Sequence, residues 1–151
     1  MCLPIMRQVL LPVRSSKQAF EKFVDFSTWW PKEYTWSKDV LKTVGIEARK
    51  GGFCYEESIH GFRLNWGTVI QWDPEKTLIF LWQIGPNSVP EPNPEKASEV
   101  QIDFVAEEAR TLLKLEHRNF ERYGEQEAAY RAAMDSEYGW DYLLARYQSV
   151  F

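Results

Sequence analysis

Two histidines, two cysteines and a few carboxylates set among aromatic residues are what this chain offers for chemistry. His117 lies in Leu113-Lys114-Leu115-Glu116-His117-Arg118-Asn119. A period of two puts Leu113, Leu115, His117 and Asn119 on one face and Lys114, Glu116 and Arg118 on the other, charged one. An imidazole on the apolar face can be a hydrogen-bonded structural group, a polar contact for a ligand, or a general base. The first is the expectation, since a base needs both a partner and a substrate within hydrogen-bond reach.

Glu56, Glu57, Arg63 and Asn65 fall on two strands that face each other across His60-Gly61. Phe53, Tyr55, Glu57 and Ile59 share one face of the first strand, and Cys54, Glu56 and Ser58 the other. On the second, Phe62, Leu64 and Trp66 oppose Arg63 and Asn65. A Glu–Arg cross-strand pair on the wet face is expected, with an inward acid–base pair as the alternative. Cys2 and Cys54 form no metal-ligand spacing with His60 and His117, and two reduced thiols are expected. The sequence has no Gly-rich phosphate loop, no G-x-S-x-G elbow, no H-E-x-x-H and no C-x-x-C. Neither a metal nor a cofactor is expected, and no catalytic residue is assigned.

The aromatic residues are the larger signal. Aromatics make up 15% of the chain, with seven Trp. Trp side chains fill cores, and they also line apolar cavities with a few polar groups among them. The candidate cavity residues are Trp29, Trp30, Tyr55, Trp66, Trp82, His117, Trp140 and Tyr147.

These residues need elements to position them, and the chain supplies a simple series. Its 151 residues, 44% of them hydrophobic, suit one domain with a substantial core. The net charge is −4 and no basic run occurs, which speaks against a nucleic-acid partner. No apolar run approaches the length of a membrane span. The start, MCLPIMRQVLLPV, lacks the marks of a signal peptide, so a cytoplasmic location is expected.

Met6–Val13 reads as a strand ending near Pro12. Ser15 with Gln18 three residues on makes a capping-box pattern for a helix with Ala19, Phe20, Phe23 and Val24 on its apolar side. Ser27 or Thr28 then starts a short turn carrying Trp29 and Trp30. Strands follow over Val40–Glu47, Phe53–Ile59, Phe62–Trp72 and Thr77–Gln83, with His60-Gly61 as a hairpin loop and Gly67 as a site for a bulge. Gly85–Ala97 carries four prolines and reads as a long exposed loop. Ser98–Val105 and Thr111–Phe120 are two more strands.

Gly124–Phe151 closes the series. Ala129, Ala133, Ser136, Trp140, Leu143, Tyr147 and Val150 form one stripe at helical spacing, and no proline interrupts. The pattern predicts one helix about 40 Å long. Gly139 falls inside it, where glycine is unfavourable by about 1 kcal/mol. The missing Cβ must therefore make room either for a packed neighbour or for ligand, with a packed neighbour favoured, and Trp140 beside it is expected to be buried.

The order of strand, two short helices, six strands and long helix resembles the START-like superfamily, also called SRPBCC or Bet v 1-like. Within it, the chain is similar to the homologues of the activator of the heat-shock chaperone ATPase (AHSA-type). Val13-Arg14-Ser15, Trp29-Trp30, Gly51-Gly52-Phe53, Trp66-Gly67-Thr68-Val69 with Asp73-Pro74 and Leu78-Ile79-Phe80-Leu81-Trp82, Glu116-His117-Arg118-Asn119-Phe120 and Gly139-Trp140 carry the likeness in order. The resemblance implies an α+β helix-grip fold, a seven-stranded curved antiparallel sheet wrapped around a long C-terminal helix. It also implies a cavity between them, with Gly85–Ala97 near one end as a possible gate. Against the pattern of the chaperone activators, residues 1–151 are expected to form one compact domain, with no second module to grip a client among them.

The functional expectation is binding of a small, largely apolar or aromatic ligand in that cavity. A chaperone or other protein partner is the alternative. A cyclase or hydratase using His117 with an inward carboxylate is a third reading.

Overall fold

The computed structural model describes residues 2–151. Seven strands form one antiparallel sheet: β1 (Ile5–Leu11), β2 (Leu41–Ile46), β3 (Phe53–Ser58), β4 (Arg63–Asp73), β5 (Thr77–Trp82), β6 (Ser98–Glu107) and β7 (Arg110–Arg118). Their order is β1-β7-β6-β5-β4-β3-β2. Every connection from β2 to β7 is thus between neighbours, and only the step from β1 to β2 crosses from one edge to the other. α1 (Ser16–Val24) and three short 3₁₀ turns make that crossing. The helix starts where Ser15 Oγ accepts the Gln18 backbone N–H at 3.2 Å, and it buries Ala19, Phe20 and Phe23.

Register shifts bend the sheet at three places: between Leu41 and Thr43, between Cys54 and Tyr55, and between Val69 and Gln71. The middle one leaves Trp66 opposite no residue of β3 and sets it beside Gly67, where a Cβ would meet the Leu81 carbonyl at 2.8 Å. The bulge expected at this glycine is present. The concave face then packs Val69, Leu78, Phe80, Val100, Ile102, Leu113 and Leu115 against α1 and the C-terminal helix.

The C-terminal stretch departs from its expected continuity. It forms a 3₁₀ turn (Phe120–Gln126), then α2 (Glu127–Met134), then α3 (Trp140–Gln148), with a break over Asp135–Gly139. Trp140, Leu143 and Tyr147 of the stripe are buried, whereas Ala129 and Ala133 are exposed. Gly139 is therefore not inside a helix but at the start of α3. A Cβ there would collide with the Met134 carbonyl oxygen at the end of α2. The packed neighbour is thus the chain's own preceding turn. Arg7 of β1 fixes the break, reaching Asp135 Oδ1 at 2.7 Å and Asp141 Oδ1 at 2.8 Å.

On β3 the inward face is Cys54, Glu56 and Ser58, and Tyr55 points to the opposite, outer face. Its placement in the cavity is corrected accordingly. The apolar alternation of Phe53, Tyr55 and Ile59 misleads because Tyr55 is covered from outside by Arg63, whose guanidinium lies 3.9 Å from the ring centre. The expected cross-strand pair is there too: Glu57 and Arg63 are register partners, with their charged groups 3.6 Å apart.

Candidate functional site

Three segments outside the α-helices and strands meet above the aromatic end of the core. The first is Lys32–Val40, where Pro31 and a run of bulky residues preclude a longer helix. Three consecutive backbone N–H groups in it are taken by side chains. Glu56 accepts from Trp36 at 3.1 Å and from Ser37 at 2.8 Å, and Thr35 Oγ1 accepts from Lys38 at 3.0 Å. Glu56 is 2% exposed. A carboxylate so buried needs such donors, and here its cost is offset by fixing the rim.

The second segment is the loop after β5. It is more structured than its proline content predicts. Ile84 bridges to Pro90, the Glu91 N–H donates to the Gln83 carbonyl at 2.9 Å, and Asn93 caps a 3₁₀ turn at Glu95. The third is the break between α2 and α3. The rim holds both of the others: the Trp36 indole N–H donates to the Ser88 carbonyl at 2.8 Å, and the Tyr34 hydroxyl to the Tyr138 carbonyl at 2.7 Å. Tyr142 of α3 also donates its hydroxyl to Glu33, which lowers the Glu33 pKa.

Between these segments lies a cleft of about 830 Å³. Trp30 and Trp82, 8% and 4% exposed, lie at its floor. Trp82 donates its indole N–H to Tyr130 Oη at 2.8 Å, and Tyr130 donates to the Ile84 carbonyl at 2.7 Å. Burial pushes the Tyr130 phenol well up, so it stays protonated as that donor. The Trp30 indole N–H has no hydrogen-bond partner among the described residues.

Of the eight candidate residues, Trp30 and Trp82 border the cleft. Trp29, Trp66, Trp140, Tyr147 and His117 are buried in the packed core, and Tyr55 is on the outer face. Trp29 donates to the Phe23 carbonyl at 3.0 Å and Tyr147 to the Ala19 carbonyl at 2.7 Å, so both tie α1 into the core. Tyr34, Trp36, Ile84, Tyr130, Ala133, Met134, Tyr138 and Leu143 complete the apolar lining but were not among the candidates. The local signal for the rim residues is the Pro31 break within an aromatic run.

His117 is 0% exposed. Trp140, which can only donate, gives its indole N–H to Nδ1 at 2.9 Å, so the ring proton sits on Nε2. That proton goes to Ser98 Oγ at 2.7 Å, Ser98 Oγ–H to Tyr123 Oη at 2.7 Å, and the Tyr123 proton to the Trp82 carbonyl at 3.0 Å. Burial lowers the His117 pKa to about 3. Both ring nitrogens are occupied by neutral groups and no carboxylate bonds either, so the inward position expected of His117 serves structure. The pairing of His117 with a carboxylate that a cyclase or hydratase reading needs is not formed.

Among the described residues, no group of three or more His, Cys, Asp and Glu could hold a metal ion. No described helix is long and apolar enough to cross a membrane.

Residues 20–151 match the model of the family described as Activator of Hsp90 ATPase homolog 1-like protein. Among solved structures, one described as an anthrahydroquino-gamma-pyrone synthase complexed with SUM covers 99% of this chain and 97% of its own, at 27% identity and a TM-score of 0.68. CalC, described as a self-sacrificing resistance protein from Micromonospora echinospora, covers 97% and 92% at 24% identity, with a TM-score of 0.64. The Aha1 dimer from Colwellia psychrerythraea covers 95% and 92% at 14% identity, with a TM-score of 0.61. The last two likenesses are of fold alone. No curated protein sequence matches the chain.

Proposed function

This chain belongs to the Activator of Hsp90 ATPase homolog 1-like family, and from that premise we propose that it binds a small, flat, largely apolar aromatic ligand in the cleft over Trp30 and Trp82. One observation carries the reading. The cleft of about 830 Å³ is walled by Trp30, Trp36, Trp82, Tyr34, Tyr130 and Tyr138, above a cluster of packed apolar side chains. A volume of that order suits a drug-sized molecule, and an aromatic wall with few polar groups suits a flat, poorly hydrated one. The unbonded indole N–H of Trp30 offers a donor to a carbonyl on the ligand. The synthase named above, whose description contains a fused quinol and a pyrone, supports a polycyclic aromatic over a flexible acyl chain.

The ligand then sits at the mouth formed by the rim, the β5–β6 loop and the α2–α3 break, not deep between sheet and helix. Titrating the protein with a panel of dihydroxyanthraquinone, flavonoids and fatty acids, read by tryptophan fluorescence, tests this. The expected result is saturable quenching by the anthraquinone, diminished in Trp30→Phe. No saturable change with any member of the panel would remove the reading.

A further inference from the structure

Backbone strain is concentrated around this cleft. Among the described residues, five other than glycine have positive φ: Lys38, Glu75, Asn87, Ser88 and Asn119. Three of the five, Lys38 (φ 46°), Asn87 (φ 61°) and Ser88 (φ 59°), line the cleft, one on the rim and two on the loop after β5. Residues other than glycine hold this left-handed conformation only when their surroundings determine it, and such residues gather at ligand sites. Here the determinants are visible. Glu56 and Thr35 hold the three N–H groups of Trp36, Ser37 and Lys38, and Trp36 holds the Ser88 carbonyl.

That arrangement sets a particular charge at the mouth. Lys38 is the one cationic residue lining the cleft, and Glu33 the one anionic residue. The Tyr142 hydroxyl occupies Glu33, and the adjacent cation, Lys32, is paired with Asp39 at 3.5 Å. No carboxylate of the described residues lies within ion-pair distance of Lys38. The cleft thus has an aromatic floor and a cation at its rim with no ion-pair partner among the described residues.

We infer that the ligand is an acidic aromatic, its ring system over Trp30 and Trp82 and a carboxylate or ionised phenol at the Lys38 ammonium. This rests on the ligand-binding reading above and narrows its chemical class. Asn87 and Ser88, which also line the cleft, supply polar groups for a second oxygen substituent.

The test compares two probes of one shape, an anthraquinone carboxylate and the corresponding uncharged primary alcohol, each titrated against the full chain at neutral pH and low salt. An exposed ion pair predicts a roughly three- to fivefold tighter Kd for the carboxylate. Added salt shrinks that ratio. Lys38→Met brings the ratio to one and Lys38→Arg keeps it, with thermal melts confirming that both variants fold. Equal affinities in the unaltered protein, or a ratio that persists in Lys38→Met, overturn the acidic class and leave aromatic binding standing. If neither probe binds, the ligand-binding reading fails and takes this inference with it.

Discussion

The indole nitrogen of Trp140 lies 2.9 Å from Nδ1 of His117, joining the first turn of α3 to the last residues of β7. Each residue decides the state of the other. The indole holds the imidazole as one neutral tautomer, and the imidazole removes the cost of burying an indole N–H. The relay continues through Ser98 and Tyr123 to the Trp82 carbonyl, so one chain of donors runs from α3 to the strand under the cleft.

Trp140→Phe keeps most of the ring volume but leaves Nδ1 of His117 without a donor. It is expected to lower stability by about 1–3 kcal/mol, the range for an unsatisfied buried acceptor. Trp140→Ala adds a cavity and is expected to lower it by about 3–5 kcal/mol. Urea unfolding of both variants checks the order.

His117 also gives the protein an acid sensitivity. Its pKa is lowered to about 3 in the folded chain, against an ordinary value of 6.5. Between those values the unfolded chain binds the proton and the folded chain does not, so stability falls as pH falls from about 6.5 toward 3. The slope from this group approaches about 1.4 kcal/mol per pH unit once pH is well below the unfolded value. Unfolding free energies measured across that range should decline more steeply for the unaltered protein than for His117→Gln. Parallel declines would assign the acid sensitivity to other groups.

Gly139→Ala is expected to destabilise by about 1–3 kcal/mol, as overpacking does, because the new methyl meets the Met134 carbonyl. The effect reaches the cleft, which Met134, Ser136, Tyr138 and Gly139 help to line. A rise in Tm in this variant would mean that the break between α2 and α3 is dispensable.

Arg7→Met removes both ion pairs that hold the break to β1. The Arg7 side chain is 26% exposed, so solvent screening reduces their worth, and a loss of about 1–2 kcal/mol is expected. Hydrogen exchange should quicken at Ser136 through Gly139 more than in β5 or β6. Uniform quickening would mean that the arginine stabilises the whole fold instead of this junction.

Trp36→Phe breaks the bond to the Ser88 carbonyl and leaves the aromatic wall in place. A single hydrogen bond of this kind contributes about 0.5–1.5 kcal/mol, so folding changes little. With the loop released, the dissociation rate of the anthraquinone carboxylate should rise by a larger factor than its association rate. Unchanged kinetics would show that the loop does not gate the cleft.

Much of this architecture can be read from the residues. Seven strands, the Ser15 cap, the bulge at Gly67 and the burial of Trp140, Leu143 and Tyr147 all follow from local pattern. The break after Met134 does not, because no proline marks it and Arg7, more than a hundred residues away, stabilises it. The face of β3 was hidden for a similar reason: Glu56 belongs inside only because Trp36 and Ser37 bring their N–H groups to it. Of the aromatic residues named as cavity candidates, only Trp30 and Trp82 border the cleft. Periodicity separates inward from outward residues. It does not separate a filled interior from its open edge.

The pairing of β1 with β7 imposes an order in time. Ile5 lies opposite His117, and Leu11 opposite Thr111, so β1 has no neighbour in the sheet until β7, about a hundred residues later, is made. Arg7 must wait further still, for Asp135 and Asp141. Contacts between residues so far apart in sequence close slowly, and until they close both β1 and the flank of β7 expose unpaired backbone. Strands β2 to β6 can zip as successive hairpins during that interval. The late joining of the two ends is therefore the step at which a nascent chain is open to wrong partners, and the step that a chaperone or a faster translation rate would alter first.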